Sequence, residues 1–328
     1  YSWRGNAKTE LGGTPEVPPS PTVRDKIREG VNLAHSHGMK VILYTGWGIN
    51  ANSDNWKKFG YELGTYPIRN KGWGAFHQSA GPNGGYGDFM AWGHDRIARE
   101  FKVDGVLWDS TANLQPDTNL RIGAAWVDGQ GRVRPKYTVL ATRDLYRRVY
   151  NIYHGEVRKQ GVIYNHTGSM WPINVYADTQ NRGEGRPMTA KTLHESWVPF
   201  EEFRAEYSAE PFGTLYSGEI NDWADYPMRV STHLAVTLLH GTYAKDYSIH
   251  PASWSYAYKG RPIMPCWEAF DWLPWNGESM LHYYYENAAG HYQAVAAMPR
   301  SLLTSAFVSG DGKRALIVVS NLDRKEIP

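Results

Sequence analysis

Apolar residues at helical spacing open the readable part of the chain. After Thr22, Val23, Ile27, Val31 and Ala34 recur every three to four residues, the period of a helix that buries one face. His37-Gly38 supplies the glycine that closes such a helix. The short apolar run Lys40–Thr45 then reads as a buried strand. The same step repeats along the chain. A helix over Phe89–Phe101 precedes a strand over Val103–Asp109, and a helix over Ala141–Lys159 precedes a strand over Gly161–His166. Asn174–Asp178 reads as a further strand after a short connection. Helices over Phe200–Ala209 and Pro227–His240 precede strands over Thr214–Ser217 and Thr242–Asp246.

Buried strands separated by helices predict an α/β fold with a parallel sheet covered by helices. The segments after the strands are long (46–86, 110–136 and 179–198), while the joins from helix to strand are short. That asymmetry predicts a (β/α)8 TIM-type barrel, in which the loops after the strands build the active site. A doubly wound open sheet is the alternative. It wants a glycine-rich phosphate turn directly after an early strand, and Gly81–Gly87 has neither that position nor that spacing. Only six strands are readable, so two more are expected before Tyr1. Asp109 would then end the fourth strand and Asp178 the sixth. Near residue 291 the pattern changes: Thr304–Ser309, a Gly310-Asp311-Gly312 turn and Arg314–Ser320 predict a β-hairpin. The expected layout is a barrel domain over 1–290 and the start of a C-terminal β-sandwich over 291–328.

Charge narrows the function. The net charge of +2, without blocks of like charge, argues against a nucleic-acid partner. The apolar runs fall far short of the roughly 20 residues that span a bilayer. Cys266 is alone, which excludes an internal disulfide and a cysteine-based zinc site. The 14 Trp and 22 Tyr add a positive clue. Their flat apolar faces and polar handles suit sugar rings, which have an apolar C–H face and a hydroxyl rim. Trp47, Trp73, Trp171, Trp197 and Trp223 fall in expected rim loops and are candidate stacking platforms. The expected partner is a carbohydrate, no cofactor or metal is implied, and the expected location is secreted or periplasmic.

Three places offer carboxylates. Asp109 closes an apolar strand and shares a face with Leu107, Gly105 and Val103, whereas Asp104 sits at the strand's opposite, stability end. Asp178 ends the expected strand Asn174–Asp178. Glu184 follows in a glycine-flanked loop between Arg182 and Arg186, with an ion pair to either arginine as its plain alternative. Hydrolysis through an oxocarbenium-like transition state needs two carboxyl groups flanking one bond, one of them ionised and the other holding a proton. Asp109 and Asp178, with Glu184 as the reserve acid, are the catalytic candidates. Glu219, just past the expected strand Thr214–Ser217, is an alternative. Tyr164, Asn165 and His166 end the fifth strand and are candidates to bind sugar hydroxyls, together with Trp47, Trp171, Arg182 and Glu219. A barrel lyase or isomerase would need a metal or a base such as Lys245. A carbohydrate-binding barrel without catalysis is the other alternative.

The runs His37–Tyr44, Lys102–Asp109 and Tyr176–Glu184 resemble barrel glycoside hydrolases, in particular the group around glycoside hydrolase family 123 and the α-galactosidase-like clan. The resemblance covers roughly residues 22–290 in pattern. From the α-galactosidase-like clan it implies a nucleophile at Asp109 and an acid/base at Asp178. Family 123 uses an adjacent Asp-Glu pair and the substrate's acetamido group; here Ser110 follows Asp109.

Overall fold

The computed structural model describes residues 21–46, 48–72, 75–109, 114–157, 159–166, 172–182, 215–220, 235, 237–241, 243–246, 280–282 and 302–321. The chain divides into two compact units, Tyr1–Gln180 and Asn181–Pro328.

The first unit is an α/β sheet. Helix α1 (Pro21–Ser36) ends at Gly38, whose φ of 71° is the left-handed turn a glycine makes without strain. Strand β1 (Ile42–Thr45) follows. Helix α2 (Asp54–Leu63) lies inside the stretch expected to be loop. Ser53 caps it by accepting a hydrogen bond from Trp56 N at 3.1 Å, and Trp56 stacks on Phe76 at 4.4 Å. A local cap, one aromatic contact and the face carrying Trp56 and Leu63 toward the core hold this helix. Helix α3 (Tyr86–Phe101) leads to strand β2 (Gly105–Asp109). Helix α4 (Val139–Asn151) runs on into a π-helical turn over Ile152–Glu156, and strand β3 (Val162–His166) follows.

Strand β2 lies between β1 and β3, parallel to both, with Leu107 opposite Tyr44 on one side and Tyr164 on the other. Alternation then separates two faces. Leu43, Val106, Trp108 and Ile163 are buried under α3 and α4, in one core with Met90, Ile97, Leu145 and Tyr146. Tyr44, Leu107 and Tyr164, on the other face, are half-buried. Gly105 is required where β2 meets β3: a Cβ there would lie 1.9 Å from Val162 O.

The expected strand Asn174–Asp178 is corrected by the structure. Ile173–Tyr176 forms a 3-10 turn, and strand β4 is Thr179–Arg182, beginning beside β3. Asp178 therefore precedes its strand instead of ending it. The physical reason is the placement of its amide and carboxylate, which both bond Ile163 at the entrance of β3 (2.9 and 2.6 Å) and so start the ladder there.

In the second unit, strands β5 (Leu215–Ile220) and β6 (Tyr243–Asp246) run parallel, with Glu219 opposite Lys245 in register. Strands β7 (Met280–His282), β8 (Leu302–Val308) and β9 (Ala315–Asn321) form an antiparallel sheet. The turn between β8 and β9 contains Gly312 at φ 67°, at the glycine-rich spot the sequence marks. The strand at 280–282 starts this sheet upstream of residue 291. The expected helices Phe200–Ala209 and Pro227–His240 lie wholly or largely outside the described residues. Among the described residues no helix is long and apolar enough to cross a membrane.

His94 lies fully buried on α3, between Thr45 Oγ1 (3.3 Å) and the Tyr153 hydroxyl (3.1 Å), and stacks on Trp108 at 5.7 Å. Burial pushes its pKa down to about 3 from 6.5. Between those values the unfolded chain binds a proton that the folded one does not, so stability is complete above pH 6.5 and falls as the pH drops toward 3. The loss from this one group approaches roughly 4 to 5 kcal/mol. Urea unfolding from pH 7 to pH 4 is expected to show this slope, and His94→Gln to flatten it. A second prediction concerns packing: Gly105→Ala is expected to cost about 3 kcal/mol in the same assay, because backbone has to move.

Candidate active site

Asp109 is the last residue of β2, on the face turned away from α3 and α4. It is only 5 % exposed. A carboxylate so deeply placed requires partners, and the parallel register supplies them from both sides. Tyr44 on β1 donates its hydroxyl to Asp109 Oδ2. His166, the residue opposite on β3, places Nδ1 3.0 Å from Oδ1. With Nδ1–H donating to the carboxylate, the tautomer leaves Nε2 as the ring's acceptor. His166 is 1 % exposed, so the imidazole is fixed by packing as well.

Behind this cluster the helix side is closed by a second polar network. Tyr146 on α4 donates to Asn165 Oδ1 at 2.8 Å, and Asn165 Nδ2 donates to Gln180 Oε1 at 2.8 Å and to Asn174 Oδ1 at 3.3 Å. Burial, with smaller contributions from the charges of Tyr86 and Asp109, keeps the Tyr146 phenol well above its ordinary pKa, so it stays a neutral donor. The network ties α4, β3 and β4 together behind the strand that carries Asp109.

At the other end of the strands two clamps repeat one design. Asp104, just before β2, donates its amide to Val41 O (2.7 Å), while its Oδ2 accepts from Val41 N (2.8 Å) and meets His35 Nε2 (2.7 Å). Asp178, just before β4, donates its amide to Ile163 O (2.9 Å), while its Oδ2 accepts from Ile163 N (2.6 Å) and meets His154 Nε2 (2.9 Å). In both cases an aspartate bonds both backbone groups of one residue at the start of the preceding strand (Val41 just before β1, Ile163 within β3), and a histidine from the helical segment before that strand closes the clamp. The π-helical turn after α4 brings His154 to this position.

The structure does not bring Asp178 to Asp109. Asp109 meets β3 at His166 and Asp178 meets it at Ile163, three residues and about 10 Å of strand away. Asp178 is the counterpart of Asp104. Asn165 is corrected as well: as a neighbour of Trp108 in register it faces the helices, and its amide is committed to Tyr146, Gln180 and Asn174. Tyr164 stands opposite Leu107, on the same face as Asp109. Glu219 lies within β5 and not past its end, and Arg182 is the last residue of β4. Glu184, Trp47 and Trp171 lie outside the described residues, as do Trp73, Trp197 and Trp223. Tyr44, absent from the sequence candidates, was legible as the residue whose alternation along β1 matches that of Asp109 along β2.

No family model and no curated protein matches the chain. Among solved structures it is similar to a noncanonic maltogenic α-amylase, AmyB, from Thermotoga neapolitana, at 13 % identity and a TM-score of 0.57, over 91 % of this chain and 68 % of that one. It also matches an α-galactosidase from Lactobacillus brevis (14 % identity, TM-score 0.49, 89 % of this chain and 37 % of that one). A third match is an α-amylase from Geobacillus thermoleovorans (11 % identity, TM-score 0.49, 87 % of this chain and 66 % of that one). The chain thus spans about two thirds of the length of the amylases and about a third of that of the galactosidase. The likeness to the maltogenic amylase shows a glycoside hydrolase-like α/β fold.

The clamp reading makes a prediction. Asp178→Ala leaves Ile163 N and His154 without their acceptor and is expected to lower stability by about 2 kcal/mol, measured by urea unfolding. A variant as stable as the parent would reject the clamp.

Proposed function

We propose that the chain is the catalytic part of a glycoside hydrolase acting on an oligo- or polysaccharide from the mouth of a (β/α)8 barrel. The observation that carries this is Asp109: a buried carboxylate at the C-terminal end of a central parallel strand, aimed away from the helices and held by Tyr44 and His166. That end of a strand is where barrel enzymes keep their chemistry. On this reading the barrel is followed by a small β domain that begins near β7, and the sugar rings of the substrate rest on aromatic side chains of the rim.

In this mechanism Asp109 acts as nucleophile, or as the anion that stabilises the oxocarbenium-like transition state. Two hydrogen bonds fix its direction. The acid/base role passes from Asp178 to Glu184. In sequence Glu184 follows the last residue of β4 by two positions, whereas Asp178 precedes its first. An acid there protonates the leaving oxygen as the glycosidic bond breaks and later takes a proton from the attacking water. His166 orients Asp109, and Tyr164 offers a hydroxyl to the sugar. The fold likeness to the maltogenic amylase makes α-glucosidic bonds the first to test.

Asp109→Asn is expected to lower kcat on aryl glycosides by at least about 1000-fold while the thermal unfolding curve is kept. Full activity in this variant would reject the assignment of Asp109, whereas a parent inactive on every glycoside tried would leave a carbohydrate-binding barrel as the reading. Glu184→Gln is expected to lose far more activity on glycosides with poor leaving groups than on dinitrophenyl glycosides, which need no protonation. Equal losses on both would remove Glu184 from the acid role.

A further inference from the structure

The loops that leave the C-terminal ends of β1 and β2 meet at a pair of exposed tyrosines. Tyr61, near the end of α2, and Tyr66, just after it, are 55 % and 37 % exposed. Their rings lie 5.1 Å apart and 36° from parallel. A hydrogen bond between the two side chains holds the Tyr61 phenol above its ordinary pKa. Two large apolar faces are thus presented to water with their hydroxyls together at one edge.

The backbone beneath them is tied down from the loop after β2. Tyr66 N donates to Oδ1 of the buried Asp117 at 2.8 Å, and Tyr66 O accepts from Thr118 N (2.8 Å) and Thr118 Oγ1 (2.9 Å). Asn119, also buried, donates its Nδ2 to Tyr61 O at 2.6 Å. The second tie runs to the edge of the sheet: Gly64 bridges to Gln78, and Gln78 Nε2 donates to Gly46 O at 2.8 Å, one residue past the end of β1. The pair therefore belongs to loops rising from the strand ends where Asp109 lies. Burial would protect a tyrosine pair that served only packing. Here buried polar side chains of another loop fix the backbone while the rings remain in solvent.

From this placement we propose that Tyr61 and Tyr66 form an outer sugar-binding platform, on which a pyranose unit of a polysaccharide chain rests while another part of the chain occupies the Asp109 site. The C–H face of the sugar lies on the rings, and the paired phenol hydroxyls bond its equatorial hydroxyls. The occupant is a neutral polysaccharide, because no charged side chain takes part in the ring pair. This proposal rests on the carbohydrate reading of Asp109 and adds a second contact to it.

The test is migration of the 328-residue chain in native gels containing soluble starch, dextran, galactomannan or xylan, beside gels without polysaccharide. The parent is expected to be retarded by at least one of the four. The double variant Tyr61→Ala/Tyr66→Ala is expected to bind that polysaccharide about tenfold more weakly, as loss of an aromatic anchor does. Tyr61→Phe/Tyr66→Phe keeps the rings and is expected to retain most of the retardation. A parent that migrates freely in all four gels, or a double alanine variant as retarded as the parent, overturns the platform. Aryl glycosides, too small to reach both places, are assayed separately with the parent. Retardation lost in the alanine variant without any aryl glycoside cleavage by the parent keeps the platform and rejects the hydrolase. Cleavage with no retardation rejects the platform alone.

Discussion

A strand with unlike neighbours on its two faces is the constraint from which the first unit follows. Between Gly105 and Asp109 each residue has only two directions available. Val106 and Trp108 go under the helices, so Leu107 and Asp109 go to the other side. Parallel pairing then decides which residues of β1 and β3 stand nearby, and it brings Tyr44 and His166 to the carboxylate without any loop being involved. An ion that would be costly alone becomes tolerable because each oxygen has a donor. Those donors are themselves immobilised by the sheet.

The two ends of this sheet do different work. At the entrances, Asp104 and Asp178 secure strand to strand and helix to strand through His35 and His154. At the exits stand Asp109, as the last residue of β2, and, in the segments that follow the strands, the tyrosine pair with the buried Asp117 and Asn119 that support it. The helix side is closed by Tyr146, Asn165, Asn174 and Gln180, a hydrogen-bonded set that keeps α4, β3 and β4 in one arrangement.

Much of this was legible in the amino-acid order, and the parts that were not have physical causes. The rhythm of helix, glycine and apolar run located α1, α3, α4, β1, β2 and β3, because burial on one face leaves a periodic trace. It put Asp109 at the end of β2 for the same reason. It misplaced Asp178, since Asn174-Val-Tyr-Ala177 looks as apolar as a strand, yet its backbone turns in a 3-10 helix after Pro172. The resemblance between Asp104 and Asp178, each an aspartate before a run that pairs with the preceding strand, was present in the sequence. Their histidine partners were not visible as such: His35 lies 69 residues from Asp104, a separation that no local pattern connects. Helix α2 stayed hidden inside a stretch assigned to loop, although Ser53 offers a cap and Trp56 and Leu63 share the face turned to the core. Asn165 was assigned to the mouth by its position near a strand end, although its parity with Trp108 already turned it the other way.

The entrance clamps also have a consequence for how such a chain can change over time. Each sets a zero mark from which side chains are counted, and Asp109 stands at an odd count of five from Asp104. Lengthening or shortening the interval by a single residue would invert the parity and deliver the carboxylate into the greasy layer beside Trp108. Lineages descended from this chain are therefore free to rewrite the exit loops in length and composition, whereas the short intervals between clamp and rim can change in letters only.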